Sequence, residues 1–175
     1  MQGASGRIPA TFAALRHPNY RKWFVGQVLS LMGTWMQSVA QGWLVYELTG
    51  SKFALGTISF IGTLPTVFLM LPGGVIADRL PKRKLLIATQ ASMMVFAFAL
   101  AALAWTKTLQ VWHIGVLAFL LGVANSFDAP ARLAIVPELV ENREDMQNAI
   151  ALNAMMFNMA RVIGPAIGGL VLAVA

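Results

Sequence analysis

The residues best suited to chemistry lie in the first apolar stretch, FVGQVLSLMGTWMQSVAQGW. On a helix turning about 100° per residue, Gln27, Ser30, Thr34, Gln37, Ser38 and Gln41 share an arc of about 100°. Val28, Leu29, Leu31, Met32 and Val39 point elsewhere. Amides and hydroxyls in such a row exchange hydrogen bonds with water or a passing solute; they do not break covalent bonds. A glutamine against hydrocarbon is costly, so the row faces protein or water. Interhelical hydrogen bonds, worth about 0.6 kcal/mol each, are one use for it. A row about four turns long fits a water-accessible path better.

Charge is scarcer still in the apolar stretches. Arg161 lies deep in the last of them, where an ionisable side chain reads as a functional residue. A carboxylate elsewhere, an anionic substrate, or a purely structural ion pair could answer it. Asp128 and Arg132 are spaced i,i+4 on a helix and suit each other as an ion pair. Gly164 and Gly168, in the run Gly164-Pro165-Ala166-Ile167-Gly168-Gly169, permit close helix contact. Met93, Met94, Met155, Met156 and Met159 suit lipid-facing or core packing, or an adaptable pocket. No nucleophile–base pair, metal-binding motif or phosphate loop is present, so neither an enzyme nor a metal or other cofactor is expected. The chain has no cysteine, which excludes disulfides and thiolate metal sites.

The elements that hold these residues follow from the charge map. Of 175 residues, 58% are hydrophobic and 11% charged, too little polar surface to face water all round. No Asp, Glu, Lys or Arg lies between Lys22 and Glu47, Lys52 and Asp78, Lys84 and Lys107, or Lys107 and Asp128. Each gap holds about 20–25 residues, enough for one membrane-spanning helix. A fifth apolar stretch runs from Met146 to Ala175. The fold class is therefore an all-α polytopic membrane protein. Helices are expected at about 20–48, 53–80, 83–106, 111–136 and 146–175, after an N-terminal segment over 1–19. Phe12–Leu15 suits a short interfacial helix that Pro18 ends. Prolines 65, 72, 130 and 165 mark bends inside spans.

The formal charge of +6 does not indicate nucleic acid, because the basic residues alternate by loop. Arg7, Arg16, Arg21 and Lys22 precede the first span; Arg79, Lys82, Arg83 and Lys84 fill the second loop; Arg132 and Arg143 flank the fourth. The first and third loops carry only Lys52 and Lys107. Lysine and arginine favour the cytoplasmic side, so the N-terminus is expected inside.

The second loop carries a further pattern. Gly74-Val75-Ile76-Ala77-Asp78-Arg79-Leu80-Pro81-Lys82-Arg83 resembles the loop signature between helices 2 and 3 of the major facilitator superfamily, with Pro81 where the pattern has glycine. That resemblance implies a gating loop that packs on the other half of the transporter. Gly74 would allow close approach, and Asp78 would face a helix N-terminus or an arginine. The Gly164–Gly169 run resembles part of a helix-5 motif of the drug/proton antiporter branch, with Ala160 and Ala151 in place of its earlier glycines. The helix-4 arginine of that branch is replaced by Ala118.

RHPNYRKWFVGQVLSLMGTWMQSVAQGWLVYELTGS, FDAPARLAIVPELV and NAIALNAMMFNMARVIGPAIGG are similar to the bacterial exporter subfamily that includes the enterobactin exporter and macrolide efflux pumps. Its members have twelve helices in two six-helix halves, so the chain resembles helices 1–5 of an N-terminal half, with a C-terminal half to follow. What the resemblance implies is secondary active export of a small molecule across the bacterial inner membrane, driven by protons, with membrane lipids around it. A scaffold without transport and an uptake transporter are the alternatives.

Overall fold

The computed structural model describes residues 10–140 and 142–174; Arg7 lies outside them. A 3₁₀ segment, Ala10–Arg16, leads into five helices: α1 (Pro18–Thr49), α2 (Lys52–Arg79), α3 (Lys82–Trp105), α4 (Val111–Leu139) and α5 (Arg143–Val174). The leading segment ends at Arg16, ahead of Pro18 as expected, and Pro18 also opens the first turn of α1, where its missing N–H costs nothing. At the other end of α1, Gly50 takes the left-handed conformation (φ 62°) and donates to the Tyr46 carbonyl at 2.7 Å. The Ser51 hydroxyl then accepts from the Ala54 N–H at 3.3 Å and starts α2. At the second loop only Leu80 and Pro81 separate α2 from α3. Pro65, Pro72, Pro130, Pro137 and Pro165 are all accommodated within helices.

Helices α2 to α5 are each long and apolar enough to cross a membrane. α1 is as long as any of them, at 32 residues, but its row of amides and hydroxyls lowers its hydropathy. Polarity is arranged inside out relative to a water-soluble bundle. Gln27, Gln41, Thr89, Ser126, Asp128 and Arg132 are buried, whereas Leu29, Phe60, Phe68, Leu71, Phe98 and Leu170 are exposed. Apolar side chains on the outside suit a hydrocarbon solvent, and buried polar ones find partners within the bundle.

Neighbours in space are not neighbours in sequence. α1 packs along α5, and α2 along α4; α3 packs on α4. α1 and α5 run parallel, since Tyr20 meets Ala149, Leu31 meets Ala160 and Trp35 meets Gly164. α2 and α4 also run parallel, with Gly62 against Gly122 and Gly73 against Ser126. α3 runs antiparallel to α4, as Thr89 reaches Asp128 and Leu100 packs with Ile114.

Small residues make the two parallel seams possible. A Cβ on Gly122 would collide with the Gly62 carbonyl oxygen, and one on Gly73 with the Ser126 carbonyl oxygen. A Cβ on Gly164 would stand 2.7 Å from the Trp35 Cβ, and one on Gly168 would stand 3.3 Å from the Met36 Cα. Backbones this close gain dispersion contacts that larger side chains would forbid.

The leading segment is tied to the start of α5. The Ala14 N–H donates to Asn148 Oδ1, and the Tyr20 hydroxyl donates to the Ala149 carbonyl, each at 3.0 Å. His17 Nε2 lies 3.0 Å from Asp145 Oδ2.

Candidate functional site

The polar row of α1 divides between two environments. Gln27 and Gln41 are only 5% and 8% exposed and sit inside the bundle, so they do not line an open path. Ser30, Thr34 and Gln37 open onto a cavity of about 570 Å³ between α1 and α3, faced by Ile87, Gln90, Ala91, Met93, Met94 and Ala97. Ser38 is exposed, and its hydroxyl donates to the Trp35 carbonyl at 3.1 Å. The Thr34 hydroxyl donates to the Ser30 carbonyl at 3.0 Å, so it is satisfied within its own helix. The side-chain amide nitrogens of Gln37 and Gln41 are buried with no hydrogen-bond partner among the described residues, while the Gln90 side chain reaches Asp128. A buried donor left unpaired costs about 1–3 kcal/mol.

Arg161 does not line that cavity. It lies at the α1–α5 seam with its guanidinium 5.8 Å from the Trp35 ring centroid. Helix geometry explains the separation: α5 packs on the side of α1 that presents Trp35, away from Ser30 and Gln37. Phe157, one turn before Arg161 on α5, meets Trp35 edge-on with centroids 6.0 Å apart.

Asp128 and Arg132 are both buried on α4, with Arg132 Nε 3.8 Å from Asp128 Oδ2. The Thr89 hydroxyl of α3 donates to Asp128 Oδ1 at 2.9 Å. The Arg132 guanidinium also stands 5.9 Å from the Phe157 ring. Around the charge pair on α4, the Thr89 hydrogen bond ties in α3 and the Phe157 contact ties in α5.

In the second loop Asp78, Arg79 and Arg83 are exposed and form no ion pair among the described residues. Lys82 pairs with Glu138 of α4 at 2.8 Å, a tie across fifty-odd residues of sequence. Gly74 meets no atom within 4 Å of a built Cβ; the close approach in this stretch is made by Gly73. Gly169 likewise faces open space, while Gly164 and Gly168 press on α1 with Pro165 between them.

Met93 and Met94 reach the α1–α3 cavity. Met155, Met156 and Met159 line a second, apolar cavity of about 290 Å³ with Met32, Phe12 and Phe24. No cluster of His, Asp or Glu able to hold a metal occurs among the described residues. Reading the sequence alone missed Gln90, Thr89, Trp35 and Phe157. Gln90 carried a usable signal, as the one amide in an otherwise apolar span. Trp35 and Phe157 carried none, because aromatic side chains are expected throughout apolar helices.

The family model described as transmembrane secretion effector matches residues 9–175. The chain belongs to this family of major facilitator transporters. Among curated relatives it is 30% identical over 152 residues to the staphyloferrin A transporter of Staphylococcus aureus, covering 86% of this chain and 38% of that protein. It is 30% identical over 158 residues to the enterobactin exporter of Shigella boydii, covering 90% and 38%. It is 26% identical over 155 residues to macrolide efflux protein A of Streptococcus pyogenes, covering 89% and 38%. The chain thus spans well under half the length of these relatives. No solved structure matches it. Membership of the family and the long apolar helices make this chain part of a multi-pass membrane protein.

Proposed function

We propose that the chain forms part of a secondary active exporter that moves a small organic molecule across the bacterial inner membrane by alternating access. Siderophores and macrolides, named for its relatives, are the kinds of solute it would carry. In this reading export is driven by proton antiport, and the N-terminus and the second loop lie on the cytoplasmic side. The alternation of basic loops supports that orientation. The transport cycle itself belongs to a complete protein of the relatives' length, with a second half opposing this one.

The observation that carries the reading is the cavity between α1 and α3. Ser30, Thr34 and Gln37 open onto it within helices that otherwise present hydrocarbon, and the Gln37 amide nitrogen beside it has no partner among the described residues. Hydrogen-bonding groups around an unfilled space serve a hydrated path better than they serve lipid. Arg161 provides a second contact for solute at the neighbouring seam, and the Gly74–Arg83 stretch, with Asp78, Arg79 and Arg83 exposed, serves as the gating loop. Gln27 and Gln41 hold α1 in place behind the path, and Asp128 with Arg132 braces α3 and α4.

Export by the complete protein in everted membrane vesicles tests this reading. Energised vesicles should accumulate an exported solute, and collapsing the proton gradient should abolish accumulation. Thr34→Cys should react with a water-borne thiol reagent beyond the background set by the unsubstituted complete protein. No accumulation, together with an inert Thr34→Cys, would leave a scaffold with no path.

A further inference from the structure

Arg161 stands near the middle of α5, exposed at the helix seam, and no carboxylate reaches it among the described residues. A guanidinium in that position is expensive unless an anion meets it, because apolar surroundings disfavour a bare charge. Arg132, the other arginine in the interior, has Asp128 for this purpose. Arg161 has an aromatic neighbour instead: its guanidinium stands 5.8 Å from the Trp35 ring centroid. Contact with the ring contributes through the quadrupole without neutralising the charge.

That contact leaves donors available. A ring face accepts no N–H···O hydrogen bond, and the fork of a guanidinium is matched to two oxygens of an organic acid. Phe157 lies beside it, 39% exposed and edge-on to Trp35. Gly164 of α5 lies against the Trp35 Cβ, which fixes where the indole leaves α1. The seam therefore places Arg161, which has no ion-pair partner among the described residues, beside two aromatic rings.

On the reading of the chain as an exporter, we propose that Arg161, Trp35 and Phe157 form a subsite for an organic anion that carries an aromatic ring. The acid group takes the N–H fork of Arg161, and the ligand's ring packs against Phe157 and the open part of Trp35. Neither Trp35 nor Phe157 belongs to the polar row, so this subsite selects for solute chemistry that the α1–α3 cavity does not read.

The test uses the complete transporter in lipid nanodiscs and 4-fluorobenzoate as the probe, followed by ¹⁹F line broadening. Wild type should bind 4-fluorobenzoate, cyclohexanecarboxylate should compete at least several-fold less well than benzoate, and 4-fluorobenzylammonium should not bind. Arg161→Gln should weaken 4-fluorobenzoate about tenfold or more, the size expected for losing a charge-assisted hydrogen bond. Arg161→Lys should retain part of the affinity, and Trp35→Leu or Phe157→Leu should each lose several-fold with the preference for a ring. The lysine and leucine variants keep the test open should Arg161→Gln fold poorly. No binding to wild type, or equal binding by wild type and Arg161→Gln, overturns the subsite; the second result is what a carboxylate from another segment of the protein would produce. Vesicle export separates this failure from that of the exporter reading. Solute export by wild type with unaltered probe binding in Arg161→Gln removes the subsite alone, whereas a wild type that moves nothing removes the exporter reading.

Discussion

Replacing Gly164 with alanine adds one methyl group at the point where α5 lies hardest against α1. Its Cβ would stand 2.7 Å from the Trp35 Cβ and 3.0 Å from the Met32 carbonyl oxygen. Comfortable carbon–carbon contact begins at about 3.5 Å, so the helices must part by close to an ångström. Neither neighbour can swing away, since one is a Cβ fixed to its backbone and the other is a carbonyl. The separation would be felt one turn later, where Gly168 already sits against the Met36 backbone. Overpacking of this kind costs about 1–3 kcal/mol.

Alanine also favours the helix over glycine by up to about 1 kcal/mol, which offsets part of the cost. The net expectation for Gly164→Ala is a loss of about 1–2 kcal/mol. Gly169→Ala is the control, because no atom lies within 4 Å of its built Cβ. It should be neutral or slightly stabilising. The two variants should differ by about 2 kcal/mol, or roughly thirtyfold in unfolding equilibrium. Reversible unfolding in mixed detergent and SDS, followed by circular dichroism, measures that difference. Equal stability for the two variants would refute the parallel seam between α1 and α5.

Asp128→Asn should destabilise the protein by about 3 kcal/mol, since it leaves Arg132 charged and buried. Pairing it with Arg132→Met should recover most of that loss in the same assay. Gln27→Cys should resist a water-borne thiol reagent that labels Thr34→Cys, because Gln27 is buried while Thr34 reaches the cavity. Tyr20→Phe removes the hydroxyl bound to the Ala149 carbonyl and should cost about 1 kcal/mol. Glu138→Gln breaks the bond to Lys82 at a half-exposed site and should change stability by less than about 1 kcal/mol, less still in high salt.

Local features were readable because they depend on spacing along one helix. The charge-free gaps mark where long helices run, and the four-residue interval between Asp128 and Arg132 makes them neighbours on α4. The Gly164 and Gly168 pair shows that some backbone comes close, without naming α1 as its owner. The polar row of α1 is a true row, yet angular position alone does not say what occupies each direction. The two ends of the row, at Gln27 and Gln41, are buried within the bundle, while its middle opens onto the cavity. Adjacent glycines point about 100° apart, so Gly73 meets α4 while Gly74 faces away from it. Ties such as Lys82 with Glu138 and His17 with Asp145 need the tertiary arrangement, because nothing short-range links them. Arg161 was expected to seek an oxygen, and its nearest described companion is the face of an indole.

The parallel pairing of α1 with α5, and of α2 with α4, also bears on how the polypeptide is made. A helix that emerges first from the ribosome waits until the fifth is inserted before its glycine-matched flank is covered. During that wait the flank carrying Met32, Trp35 and Met36 is not covered by α5. The seam closes only once all five helices are made, when the run around Gly164 slides in beside Trp35.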